Sequence, residues 1–268
     1  MRVASFILLM VEEIIQFIIL VPAAILSLIA GIFLIIRGKD KLDKGMISLG
    51  ISYIMMIFFI IVYGFALVAQ IFDYTIIYVV YIGVNIFTKF TFYENRQSIF
   101  KSIVILNTVN YIILAIPKIL LLLNLYEDIL MSHTVRILDN VFSITWAIIV
   151  FGWLVYSGIE SYIQLKDKKV QPWIKKRLLL VIFSAFINMM ISVPDLIDEL
   201  TNQILHDYVF YFQMVLIATF MVLQFLAWIM PKRLKNFFNR GYVIEKDDDI
   251  GLAEADIIKQ MSEVEENK

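Results

Sequence analysis

The sequence predicts an all-α, polytopic integral membrane protein, a bundle of seven transmembrane helices with an external N-terminus and a cytoplasmic C-terminus. Three observations lead to this prediction. The 268-residue chain is 61% hydrophobic and 18% charged, with a mean hydropathy of +0.84, which is far more apolar than a soluble domain. Seven stretches are long and apolar enough to cross a bilayer. The cations that connect those stretches gather on one side.

The predicted spans are 17 to 28 mostly apolar residues long, which is enough to cross a hydrocarbon core where backbone groups must bond within their own helix. Two spans contain a lysine, Lys89 in the third and Lys118 in the fourth, whose long side chain can carry its charge towards an interface. Glu12 and Glu13 interrupt the first apolar stretch early, so we interpret it as a retained helix rather than a signal peptide. In chain order the spans are 14–36, 45–72, 74–93, 102–126, 140–159, 178–194 and 208–231.

The orientation follows from the distribution of Lys and Arg between the spans. The first, third and fifth connections contain twelve cations, whereas the opposite side has only Arg2 and Arg136, with Lys118 inside the bilayer near that side. Short cationic loops stay in the cytoplasm. The expected location is therefore the cell membrane. The twelve cations are Arg37, Lys39, Lys41, Lys44, Arg96, Lys101, Lys166, Lys168, Lys169, Lys175, Lys176 and Arg177.

Three regions follow from this topology: the seven-helix domain 1–231, an amphipathic juxtamembrane segment 232–244 and an acidic cytoplasmic tail 245–268. In the juxtamembrane segment, Leu234, Phe237 and Phe238 recur at spacings of three and four among cations. This pattern predicts an interfacial helix whose cations meet anionic lipid headgroups.

The acidic tail contains nine Asp and Glu residues against three lysines. Four of its apolar residues fall on one face of a short helix that would bind a cytoplasmic protein, and the alternative is a solvated, disordered terminus. These candidate docking residues are Leu252, Ile257, Ile258 and Met261.

Ionisable residues inside a span usually face the bundle interior, a cavity or a partner, because burial in lipid is costly. Near the outer ends of the spans, we predict a ligand pocket in which Lys118 pairs with Asp195, Asp139 or a glutamate of the first span. Pro117 and Pro194 precede two of these charges and can kink their helices. Acids outnumber cations on this side, which favours a cationic or zwitterionic small ligand. The alternative is that Lys118 reaches outwards and the acids only end helices. The pocket residues are Glu12, Glu13, Gln16, Lys118, Asp139 and Asp195.

A second group of polar and aromatic residues lies on single faces of the predicted helices and should face the bundle interior, where interhelical hydrogen bonds form. This group is Asn85, Asn107, Asn110, Trp146, Trp153, Asn188 and Gln213.

Composition argues against several classes of function. With no cysteine and two histidines, the chain offers no thiolate metal site, iron–sulfur cluster, cysteine nucleophile, three-histidine zinc site or diheme centre. The seventh span contains no lysine for a retinal Schiff base, and no hydrolase or phosphate-binding motif is present. A net charge of −1 provides no field for nucleic acid. We therefore expect no catalytic residues, no cofactor and no nucleic-acid partner.

A small-solute transporter is a second interpretation. The basic hairpins at 37–41 and 166–169 each follow a helix that enters the cytoplasm and precede one that returns. Spans one to three and five to seven would then form a parallel repeat, which resembles the three-plus-one-plus-three layout of the sugar-transporting SWEET family. That resemblance is topological and implies a solute site near the middle of the membrane.

The entry to the sixth span, Trp173 to Leu180, and the exit from the seventh, Trp228 to Leu234, resemble the seven-helix sensor region of some prokaryotic histidine kinases. The resemblance implies a receptor-like protein that relays an external or intramembrane stimulus to the cytoplasm through helix shifts. No kinase domain is present in this sequence, so the basic loops and the acidic tail would pass the signal to a partner protein. A structural subunit of a membrane complex is the third interpretation.

Overall fold

The computed structural model describes residues 2–62, 67–93, 98–123, 125–126, 129, 132–166 and 170–240, with side chains from residue 18 to 58 and, within those ranges, from residue 74 onwards. The side chains of Glu12, Glu13 and Gln16 and the whole acidic tail, including Leu252, Ile257, Ile258 and Met261, lie outside this described part.

All regular secondary structure in the described residues is helical. Six of the helical segments are long and apolar enough to cross a membrane, so the prediction of a multi-pass, all-α membrane protein is confirmed at that level. The helices are α1 (Arg2–Lys41), α2 (Lys44–Val62), α3 (Leu67–Phe92), α4 (Phe100–Leu122), α5 (His133–Lys166), α6 (Pro172–Met190), α7 (Val193–Leu200), α8 (His206–Trp228) and α9 (Lys232–Phe238).

The predicted boundary between the second and third spans is wrong. We expected span two to extend to residue 72, but α2 ends at Val62 and α3 begins at Leu67. Hydropathy shows no break between residues 45 and 72, so Asp73 was taken as the connection although it lies within α3.

The two prolines flagged as possible kinks behave differently. Helix α6 ends at Met190, and Pro194 occupies the first turn of the short helix α7. Proline has no N–H to bond the carbonyl four residues earlier, which favours a helix start at this point. Pro117, in contrast, lies inside α4, which continues to Leu122.

Small residues allow the first three helices to pack closely. A Cβ atom on Gly31 would lie 2.9 Å from the Gly50 carbonyl oxygen, and one on Gly83 would lie 1.9 Å from Ser52 Oγ. Ser52 Oγ in turn donates to the carbonyls of Ser48 (3.1 Å) and Val80 (3.2 Å). Such contacts associate helices in lipid, where the hydrophobic effect between helices is weak.

The main core cluster contains side chains from α1 to α6 and from α8, and α5 contributes the most. Trp146 and Val150 of α5 pack in one cluster with Ala185 of α6 and Ala227 of α8, and all four are almost completely buried. Large apolar side chains elsewhere are exposed, including Ile18 and Ile36 on α1. This inside-out pattern suits a bundle whose outer surface is covered by lipid.

Candidate functional site

Polar side chains from α5 and α8 converge on the short helix α7. We name the α7 acids and their partners the α7 cluster; its members are His133, Arg136, Asn140, Asp195, Asp198, Glu199, His206 and Gln213. Glu199 is the most buried member, with 7% of its surface exposed. Arg136 Nε donates to Glu199 Oε1 at 2.8 Å, and His133 Nε2 lies 3.6 Å from the same oxygen. His133 Nε2 is also within hydrogen-bond distance, 2.7 Å, of the Glu199 backbone carbonyl. These contacts attach the end of α7 to the start of α5.

The other two acids of α7 attach it to α8. His206 Nδ1 lies 2.7 Å from Asp198 Oδ2. Gln213 Nε2 donates to Asp195 Oδ2 at 2.9 Å and to the Ile191 carbonyl at 3.2 Å. Both histidines of the chain therefore contact acids of this eight-residue helix. Since the turn at residues 191–192 separates α7 from α6, side-chain contacts hold α7 in place.

Lys118 pairs with Asp139, one of the three partners expected for it. Lys118 Nζ lies 3.3 Å from Asp139 Oδ2, and each side chain is 21% exposed. Tyr74 donates its hydroxyl to the same oxygen at 3.0 Å, and its ring centroid is 5.8 Å from Lys118 Nζ. Asp195 instead contacts α5 and α8, where its carbonyl accepts from Asn140 Nδ2 at 3.3 Å. The expected pocket residues with described side chains thus lie in two separate polar groups.

Six of the seven residues expected in the bundle interior are buried, and Gln213 is half-buried. Trp146 Nε1 donates to Asn107 Oδ1 across α5 and α4, and Asn110 Nδ2 donates to the Leu106 carbonyl at 3.0 Å. Asn85 is fully buried, and neither of its amide atoms has a hydrogen-bond partner among the described residues; the same holds for Asn107 Nδ2. A buried amide without a partner is costly and is often satisfied by water or a ligand.

A further buried network joins α2, α6 and α8, and it includes a residue that the sequence did not single out, Tyr53. The Tyr53 hydroxyl donates to Gln224 Oε1 and accepts from Trp228 Nε1 at 3.1 Å. Gln224 Nε2 donates to Ser184 Oγ at 2.6 Å. Arg177 stacks on Trp228, with its guanidinium carbon Cζ 4.8 Å from the centroid of the ring. Tyr53 was missed because a lone tyrosine in an uncharged span carries no periodic signal.

A cavity of about 30 Å³ borders this network between α2, α3, α5, α6 and α8. Its lining is mostly apolar, with Phe87, Leu154 and Phe220 among the walls and Ser52, Tyr53 and Gln224 supplying the polar atoms. A space above roughly 10–15 Å³ holds a water molecule when polar partners are present. The cavity is thus large enough for water rather than for a drug-sized ligand, and it is separate from Lys118.

Within the described residues no group of three or more His, Asp and Glu side chains is placed to hold a metal ion. Comparison with known protein families, with characterised proteins and with solved structures finds no match.

Proposed function

We propose that this protein is a receptor-like sensor of the cell membrane, in which a change at the α7 cluster is relayed to a cytoplasmic partner. We also propose seven membrane crossings, made by the six long apolar helical segments and by α2. Its 19 residues measure about 28 Å at the α-helical rise of ~1.5 Å per residue, close to the thickness of the hydrocarbon core. The cation distribution supports an external α7 and a cytoplasmic α9.

The observation that supports this function best is the attachment of α7. A short helix that is set off from α6 by a turn and held by ionic side chains of two neighbours can take more than one arrangement at a small cost. Acids dominate it, with Asp195, Asp198 and Glu199 within five residues. A small cationic ligand that binds these acids would compete with Arg136 for Glu199 and favour a different position of α7.

Helix α6 supplies a route from α7 to the other end of the bundle. Ser184, midway along α6, contacts Gln224 of α8, and Arg177 near its start stacks on Trp228. At the first turn, the Trp173 N–H donates to Asn239 Oδ1 after α9 at 3.3 Å. Because these contacts are spread along one rigid helix, a shift or rotation of α6 reaches α9 and the basic loops. The acidic tail would then present Leu252, Ile257, Ile258 and Met261 to the partner.

Spin labels test the relay directly, because the chain has no cysteine and introduced cysteines are therefore the only labelling sites. We would label exposed positions Lys39 on α1 and Asn236 on α9 in the full chain in lipid nanodiscs. Pulsed electron resonance then gives the distribution of distances between them. In a Glu199→Gln variant the distribution should shift or broaden, since the contact between α7 and Arg136 loses its charge pairing.

The matched control is Asp207→Asn, an acid-to-amide change at an exposed residue beside the same cluster. Its distance distribution should coincide with that of the unaltered chain. A further spin label placed on α7 reports whether α7 itself moves in Glu199→Gln. If that label is displaced while the distance distribution between the labels on α1 and α9 is unchanged, the relay is refuted.

A transporter is the second candidate, favoured by buried amide atoms that have no hydrogen-bond partner among the described residues: both amide atoms of Asn85, and Asn107 Nδ2. These groups can donate and accept hydrogen bonds and would suit a neutral polar solute. Uptake into proteoliposomes that is lost on replacing Asn85 and Asn107 would favour transport. An absence of flux, together with capture of a cytoplasmic protein that depends on the tail, would favour sensing.

A further inference from the structure

Helix α9 folds back against the start of α6 and brings two basic segments together. Pro231 has an extended backbone, with φ −60° and ψ 147°, and directs the chain away from α8 into α9. Lys235 Nζ then lies 4.1 Å from the centroid of the Trp173 ring. The Trp173 backbone N–H also donates to Asn239 Oδ1. Two contacts therefore join the first turn of α6 to α9 and the residue that follows it.

The first segment is residues 170–193 and the second is residues 229–240. Together they contain seven cations and no Asp or Glu. Arg177 is buried against Trp228. We name the other six the basic face; they are Lys175, Lys176, Lys232, Arg233, Lys235 and Arg240. Four of them, Lys176, Lys232, Arg233 and Arg240, are exposed.

The basic face lies beside apolar aromatic surface. Phe237 is 58% exposed and packs edge-on against Phe238, with ring centroids 5.7 Å apart. The seven residues of α9 extend only about 10 Å at ~1.5 Å per residue, far too short to cross a bilayer. Cations with exposed aromatic rings on a short helix at the end of a membrane-spanning helix place this surface at the level of lipid headgroups.

We propose that the basic face binds the phosphate of an anionic phospholipid. Its positive charge is complementary to a phosphate that lacks a compensating ammonium group. The guanidinium groups of Arg233 and Arg240 can each donate two parallel N–H bonds to phosphate oxygens. A zwitterionic lipid also presents a phosphate, but its own cation is repelled by the exposed cations of the basic face. This inference concerns the α6–α9 surface and does not depend on the proposed sensor function.

Native mass spectrometry of the full chain in detergent tests the site, with phosphatidylglycerol or phosphatidylcholine added. Phosphatidylglycerol should bind at least about tenfold more tightly. The double variant Lys232→Gln, Arg233→Gln should weaken its binding by at least about tenfold, since each cation at a membrane surface contributes substantially to the attraction of an anionic lipid. Lys232→Arg, Arg233→Lys retains both charges and should bind normally.

The control is Lys39→Gln, Lys101→Gln, which removes two exposed cations from the same predicted side but outside the basic face. It should leave the affinity unchanged. Equal weakening in this control, or equal affinity for the two lipids, would overturn the proposal. So would a preference for phosphatidylglycerol that emerges only when Asp247, Asp248 and Asp249 are changed to Asn, because the chain's own acidic tail would then occupy the face.

Discussion

Substitution of Gly83 by alanine should disrupt the packing of α2 against α3. The added methyl carbon would lie 1.9 Å from Ser52 Oγ and 3.1 Å from the Ser48 carbonyl oxygen, whereas ordinary contacts begin at 3.4 Å. The first contact is therefore about 1.5 Å too short. Either Ser52 rotates and loses its hydrogen bonds to Ser48 and Val80, or the helices move apart.

Both responses have a known range of cost. Interhelical hydrogen bonds in membranes contribute on average about 0.6 kcal/mol each, and overpacking of a tight core costs roughly 1–3 kcal/mol. Alanine regains up to about 1 kcal/mol of helix propensity over glycine. With that gain subtracted from the overpacking cost, we expect Gly83→Ala to lower the free energy of unfolding by up to about 2 kcal/mol.

Two further variants make this prediction specific. Gly152→Ala on α5 should be neutral or slightly stabilising, because the nearest atoms to its added carbon lie 3.8 and 3.9 Å away. Adding Ser52→Ala to Gly83→Ala removes the closest clashing atom and should recover at least half of the loss. Tryptophan fluorescence during unfolding by SDS in mixed micelles measures all of these variants. Equal stability of Gly83→Ala and Gly152→Ala, or no recovery in the double variant, would refute the close packing of α2 on α3.

Three further predictions concern the polar groups and use the same unfolding assay. Lys118→Met should lower the free energy of unfolding by about 1–3 kcal/mol because Asp139 loses its charged partner. Adding Asp139→Asn to this variant should restore part of the lost stability. If the two substitutions instead gave additive losses, the pairing would be contradicted. Glu199→Gln should lower the free energy of unfolding by about 1–3 kcal/mol. It should also speed amide hydrogen exchange in the segment around α7. An unchanged exchange rate would show that the ionic contacts do not hold α7. Trp146→Phe should destabilise more than Asn107→Leu, since it leaves both buried amide atoms of Asn107 unpaired, whereas the leucine leaves only the Trp146 indole N–H unpaired. The reverse order would contradict this reasoning.

Most of the helical architecture could be predicted from hydropathy alone, because lipid requires each crossing to be a long apolar helix. The boundary between α2 and α3 could not be predicted in this way, since the sequence stays apolar from the end of α2 at Val62 to the start of α3 at Leu67. The end of α6 was placed near Pro194 by sequence, and the structure shows why that proline matters: α7 begins there as a separate helix.

The polar groups were predictable as types of residue but not as pairs. Helical spacing placed Lys118 and Asp139 near the same end of the bundle, yet Asp195 satisfied the same criteria, and only the packing of α4 on α5 selects between them. Arg136 was counted in the sequence as an external cation, and its contact with Glu199 depends on how α7 folds beside α5. Tyr53 gave no signal because its partners, Gln224 and Trp228, lie more than 170 residues away.

The orientation of α7 and α9 on opposite sides of the membrane underlies the proposed relay, and cysteine labelling measures it most directly. A membrane-impermeant maleimide is added to sealed cells that express the full chain with a single cysteine at exposed Gln203 or at exposed Asn236. The account predicts labelling of Gln203→Cys in intact cells and of Asn236→Cys only after the cells are opened. Labelling of Asn236→Cys in sealed cells, with Gln203→Cys protected or equally labelled, would contradict it.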